Sequence, residues 1–183
     1  MRTIDTPRIY VASLADYNAG RLHGRWIDAS QDVDEIREEI RQMLAASCEP
    51  VAEEWAIHDY DGGLGGLRLD EFETIEYVHE VARAIEEHGA DVVRAFYACF
   101  TVPYDAKLER LGDMYRGQWE SEKAYAEELI CELGWAGVCP VPDELLPYLD
   151  METIASELFQ HGTLTSVRAG APDYGVHVFE TEV

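Results

Sequence analysis

EEWAIHDYDGGLGGLRLDEFETIEYVHEVARAIEEHG, residues 53–89, passes from one structural regime to another in a single run. EEWAIHDY (Glu53–Tyr60) is rich in β-formers and reads as a strand with Trp55 and Ile57 pointing one way. DGGLGG (Asp61–Gly66) interrupts it and is the clearest linker in the chain. Beyond it Phe72, Ile75, Val78, Ala82 and Ile85 recur at helical spacing, and Gly89 stands where a C-terminal cap belongs. Strand, glycine break and amphipathic helix in this order point to strands and helices in separate small units.

The flanks repeat the pattern. Upstream, RIYVASLA (Arg8–Ala15) and LHGRWID (Leu22–Asp28) read as strands around a turn-like DYNAG. DVDEIREEIRQMLAAS follows as a helix with Val33, Ile36, Ile40, Met43 and Leu44 in its stripe, Asp32 and Glu35 forming a capping box, and Pro50 ending the element. Downstream, helices are expected over Ala90–Phe100, Ala106–Leu111 and Ser121–Leu133, the last capped by Gly134 with Tyr125, Leu129, Ile130 and Leu133 inward. CPVPDELLPYLD is broken by prolines, and METIASELFQ is a short helix capped by Asp150. TLTSVR and GVHVFE read as closing strands joined by a loop containing Pro172. The expected fold is α+β in three small units: an N-terminal antiparallel sheet with one helix (1–61), a central helical unit (62–103) and a C-terminal α+β unit (104–183).

Charge is the strongest compositional signal. Across 183 residues, 37 acids against 14 lysines and arginines give a formal net charge of −23. The imbalance is uneven, because residues 1–31 hold Arg2, Arg8, Arg21 and Arg25 against Asp5, Asp16 and Asp28. All of the excess acid lies beyond residue 31. Such a field repels nucleic acid and anionic membranes and attracts basic surfaces. No apolar run is long enough to span a bilayer and the N-terminus lacks a signal-peptide core, so a soluble, cytoplasmic protein is expected. Cys48, Cys99, Cys131 and Cys139 show no C-x-x-C pair and read as reduced thiols.

Folding alone gives no reason for the placement of this acid. With about 100° per residue, Glu73, Glu76, Glu80 and Glu87 fall in one stripe opposite the apolar arc begun by Phe72. Glu120, Glu127 and Glu128 cluster similarly opposite Tyr125, Leu129 and Leu133, with Glu132 on the same segment. Like charges three and four apart are mildly destabilising on a helix, and ordinary surface helices mix signs. A charged outer face is otherwise just a solvated one.

Other chemistries fit poorly. Asp59, Asp61 and Asp70 match an EF-hand frame only in part, with Gly63 and Leu64 at positions that should be ligand and glycine. The glycine loop lacks the G-K-[ST] of a phosphate cradle. Glu76-x-x-His79 is one copy of a di-iron motif that needs two, and His79 lies toward the apolar face as a satisfied histidine would. The other histidines show no paired zinc spacing, and no nucleophile elbow is present. No catalytic residue, metal or cofactor is expected.

RIYVASLADYNAGRLHGRWIDA (Arg8–Ala29) and AEEWAIHDYDG (Ala52–Gly62) resemble the N-terminal signatures of the ArdA antirestriction proteins. The resemblance continues through YRGQWESEKAYAEEL (Tyr115–Leu129) and VPDELLPYLDMETIASEL (Val141–Leu158). The latter is similar to the family's antirestriction motif, with Pro142, Tyr148, Asp150 and Glu152 in matching places. The resemblance implies an elongated DNA mimic, carried on mobile genetic elements, that occupies the DNA-binding groove of type I restriction–modification enzymes. It also implies a homodimer formed through the C-terminal region, and neither an enzyme nor a nucleic-acid or membrane binder. The alternative is an acidic protein that binds some other basic DNA-binding partner. Carboxylates spaced i, i+4 lie about 6 Å apart along a helix axis, which approximates a row of phosphates.

Overall fold

The computed structural model describes residues 6–100, 108–133, 141–142, 144–170 and 174–181, the side chains of 132 and 133 excepted. Among the described residues there are seven α-helices and two three-stranded antiparallel sheets, an α+β fold. The chain divides into two compact units, one from residues 1–94 with 103–108 and the other from residues 95–102 with 109–183.

In the first unit, β1 (Arg8–Ser13) lies between β2 (Gly24–Asp28) and β3 (Trp55–Asp61). Between β1 and β2 the DYNAG stretch forms a short helix, α1 (Leu14–Asn18), instead of a plain turn. Ser13 caps it by accepting the Asp16 N–H at 3.3 Å, an arrangement that hydrophobic periodicity does not reveal. Tyr10 pairs with Asp59 but Val11 pairs with Ile57, so β3 carries one extra residue, His58. That bulge breaks the expected alternation: Ala56 and Ile57 are both buried while Trp55 is only half-buried. Gly24 is required by the close β1–β2 approach, since a Cβ there would sit 2.4 Å from the Val11 carbonyl oxygen.

Helix α2 (Val33–Ala45) buries Ile36, Ile40 and Met43, and Asp32 caps it by accepting the Asp34 N–H at 2.8 Å. It ends well before Pro50. Asp16 is 1% exposed and locks this region together. It accepts the Ser47 hydroxyl and lies 3.4 Å from the Arg21 guanidinium, which also pairs with Glu49. The Ser47 hydrogen bond, supported by Ser13 and Arg21 against the opposing effect of burial, holds the Asp16 carboxyl below its ordinary range. DGGLGG is itself pinned within this unit. Leu64 is fully buried, and Arg94 donates to the Gly63 and Gly65 carbonyls at 3.3 and 3.2 Å.

Helix α4 (Ala90–Cys99) ends in the second unit. There Phe96 and Phe100 pack on Phe179 at ring separations of 5.8 and 5.9 Å. A 3₁₀ turn at Leu108–Arg110 leads into α5 (Leu111–Met114), and then into β4 (Tyr115–Trp119). The strand was not expected from the sequence. It pairs with β6 (Val176–Glu180), whose other neighbour is β5 (Leu164–Arg168), so the two predicted closing strands are adjacent. The other face of this sheet meets α6 (Glu122–Leu133) and α7 (Met151–His161) through Tyr125, Leu164 and Val178, with Trp119, Leu158 and Phe159 around them. The expected Gly134 cap, the Pro172 loop and Cys139 lie outside the described residues; Cys48, Cys99 and Cys131 are free thiols.

Candidate functional site

The carboxylates named from the sequence are placed by two helices, one in each unit. In the first unit the helix begins later than the apolar spacing suggests: α3 runs from Ile75 to His88. Thr74 caps it, accepting the Tyr77 N–H at 3.3 Å, and Gly89 at φ 90° closes it. The preceding residues form a turn in which Asp70 accepts the Phe72 N–H at 3.1 Å. Phe72 is 63% exposed and therefore does not begin the buried stripe. Ile75, Val78, Val81, Ala82, Ala84 and Ile85 form it instead.

This shift changes the acid row. Glu73 lies off the helix and is only 7% exposed, its carboxylate turned back toward the Asp70 N–H at 3.3 Å. It does not line up with the others because the helical geometry that aligned it does not extend that far. Glu76, Glu80 and Glu87 are all on α3 and exposed. Glu80 lies about 6 Å and Glu87 about 16 Å beyond Glu76 along the axis, by the rise of an α-helix.

Their counter-ions differ. Arg37 of α2 reaches Glu76 and also holds Asp34 at 3.2 Å. Arg83 pairs with Glu86 at 3.1 Å, and Glu87 lies 3.8 Å from His88, a pair that is ionic only if the imidazole is protonated. Glu80 has no ion pair among the described residues. His79 is half-buried with Nδ1 3.3 Å from the Ala29 carbonyl oxygen, so it serves as a backbone tie. Sequence reading missed Arg37 because it is brought in from another helix. The D-E-I-R spacing that puts Asp34 and Arg37 three apart was the available signal.

In the second unit, Ser121 accepts the Ala124 N–H at 3.1 Å and starts α6, which buries Tyr125, Ala126 and Ile130. Glu120 stands just before the helix and Glu127 and Glu128 on its outer face, all exposed and without an ion pair among the described residues. The Glu132 side chain lies outside the described residues. Glu122, not singled out from the sequence, accepts the Ser166 hydroxyl at 2.7 Å and ties α6 to β5.

The four motif residues separate into two kinds. Asp150 caps α7, accepting the Thr153 N–H at 3.1 Å and its hydroxyl at 2.9 Å. Those bonds, the backbone one foremost, hold its carboxyl below the ordinary range. Glu152 meets Lys123 of α6 at 3.3 Å. Pro142 and Tyr148, by contrast, are exposed, Tyr148 at 85% on a 3₁₀ turn covering Leu146–Tyr148.

Exposed carboxylates on regular helices can accept hydrogen bonds and ion pairs from lysine and arginine of a partner. Among the described residues no group of His, Cys, Asp and Glu is arranged to hold a metal ion, and no helix is long and apolar enough to cross a membrane. No curated protein matches the chain. The family profile described as Antirestriction protein (ArdA) matches residues 9–172, most of the 183-residue chain and every stretch that carries these carboxylates. The chain belongs to the ArdA family of antirestriction proteins.

Proposed function

We propose that the chain blocks type I restriction–modification enzymes by occupying their DNA-binding groove as a mimic of duplex DNA. In this reading it acts stoichiometrically, as a cytoplasmic homodimer, and without a cofactor or turnover. The observation that carries the reading is the set of exposed carboxylates on both units, Glu80, Glu120, Glu127 and Glu128, that no cation of the chain neutralises among the described residues. They belong to a protein of net charge −23. Unmatched charge of one sign raises the energy of the free protein, and a groove of Lys and Arg relieves it. Carboxylates stand in for phosphates, while the absent sugars and bases leave nothing to cleave or methylate. Without base edges to read, inhibition extends across enzymes with different recognition sequences.

The test is to titrate a purified type I enzyme with the protein while following DNA binding and methylation. Both are expected to fall together near a stoichiometric ratio, with potency declining as salt rises. Inhibition that continues at catalytic ratios, or that leaves DNA binding intact, would remove the reading. Equal potency against an unrelated basic DNA-binding protein would favour the general acidic binder instead.

A further inference from the structure

Arg37 has a place in this surface that neither the helix pattern nor family membership assigns. It projects from α2, bonds Asp34 of its own helix at 3.2 Å, and reaches across to Glu76 at the start of the α3 row. The neighbouring arginines behave differently: Arg41 pairs with Glu38 at 2.6 Å and Arg83 with Glu86 at 3.1 Å, each within its own helix. The Arg37 and Glu76 side chains are 46% and 53% exposed. Exposed pairs of this kind contribute little to stability. The two helices already bury Ile36, Ile40, Met43, Ile75, Val78 and Ala82, so packing does not need the pair to hold them. Its larger consequence is electrostatic. One carboxylate of the row, Glu76, is matched from within the protein, while the next, Glu80, has no ion pair among the described residues.

We propose that Arg37 is a built-in competitor for the partner's cations: it neutralises Glu76 in the free protein and thereby tempers the affinity of the acidic face. This positioning role rests on the mimicry reading above. A lysine or arginine of the target that approaches Glu76 must replace Arg37, and until it does, Arg37 repels it. Removing Arg37 leaves Glu76 free and deletes the opposing charge, so the row strengthens.

The experiment measures association rate and inhibition constant for wild type, Arg37→Gln, Arg37→Lys, Glu76→Gln, Glu80→Gln and the Arg37→Gln/Glu76→Gln double variant. The probe is a purified type I enzyme carrying a fluorescent duplex, with thermal melts run on each protein. Arg37→Gln is expected to associate about threefold faster and to have an inhibition constant about threefold lower at low salt, a gap that closes as salt screens it. Arg37→Lys stays near wild type. Glu76→Gln alone costs less than Glu80→Gln, but costs as much as Glu80→Gln once Arg37 is gone. A weaker or unchanged Arg37→Gln with an unaltered melt overturns the proposal. Should Arg37→Gln fail to fold, the single-variant comparison decides: Glu76→Gln as costly as Glu80→Gln overturns it. If wild type fails to displace DNA at all, the mimicry reading falls. A shift of the Arg37 side-chain NMR signal on Glu76→Gln shows in that case whether the pair itself stands.

Discussion

Replacing Glu80, Glu120, Glu127 and Glu128 together by glutamine tests whether the unmatched carboxylates act as a charge array. The change moves the formal net charge from −23 to −19 while keeping side-chain length. Glutamine and glutamate have nearly equal helix propensity, and all four sites are exposed, so the fold is expected to persist. A carboxylate about 6 Å from a cation in water is attracted by about 0.7 kcal/mol, and screening at physiological ionic strength leaves roughly half of that. Each contact is then worth a factor of about two in affinity, and four acting independently about tenfold or slightly more. The assay is displacement of a labelled duplex from a purified type I enzyme, repeated from low to high salt. Single variants should lose about twofold and the quadruple variant about tenfold at physiological ionic strength, with larger losses at lower salt and the difference vanishing at about 1 M, where the screening length is about 3 Å. One substitution that abolishes inhibition would point to a specific contact rather than an array. A quadruple variant as potent as wild type, or a loss indifferent to salt, would refute the reasoning outright.

Other expectations concern the scaffold. Leu64→Ala removes a fully buried side chain from the glycine-rich loop and should cost about 2–5 kcal/mol of stability in urea denaturation, whereas a free linker would lose nothing measurable. Thr74→Ala deletes the cap of α3 and should cost about 1 kcal/mol by the same measurement. Asp16 sits below its ordinary value of 3.8 in the folded chain, so its stabilising contribution is complete above that value and is lost as pH falls through the lower, folded one. Melting temperature followed downward from neutral pH should therefore drop steeply below about pH 4, and Asp16→Asn should lower the neutral plateau and flatten the drop.

What the sequence made legible is local. Asp150 with Thr153 three residues later, the apolar repeat of α6 and the β-rich closing strands each state their geometry within a few residues, and the structure places them accordingly. The misses are of two kinds. At the start of α3, Asp70 and Thr74 both offer side-chain oxygens to nearby N–H groups, and the later one wins, taking Phe72 and Glu73 out of the helix. The apolar spacing alone could not separate these, because Phe72 falls in register with Ile75 and Val78 by coincidence. β4 was hidden for a related reason: YRGQW is short, contains a glycine at φ 102°, and becomes a strand through β6, more than fifty residues later in the chain. The second kind is charge pairing. A carboxylate count can be read from composition, but its free portion cannot. Arg37 lies thirty-nine positions before Glu76 and Lys123 twenty-nine before Glu152, and only folding brings them together. For a protein whose function is proposed to lie in its negative charge, that distinction sets which residues matter. A partner's cations gain most at Glu80, Glu127 and Glu128, whose charge nothing in the described fold has claimed, and less at Glu73 and Glu76, whose carboxylates are already engaged.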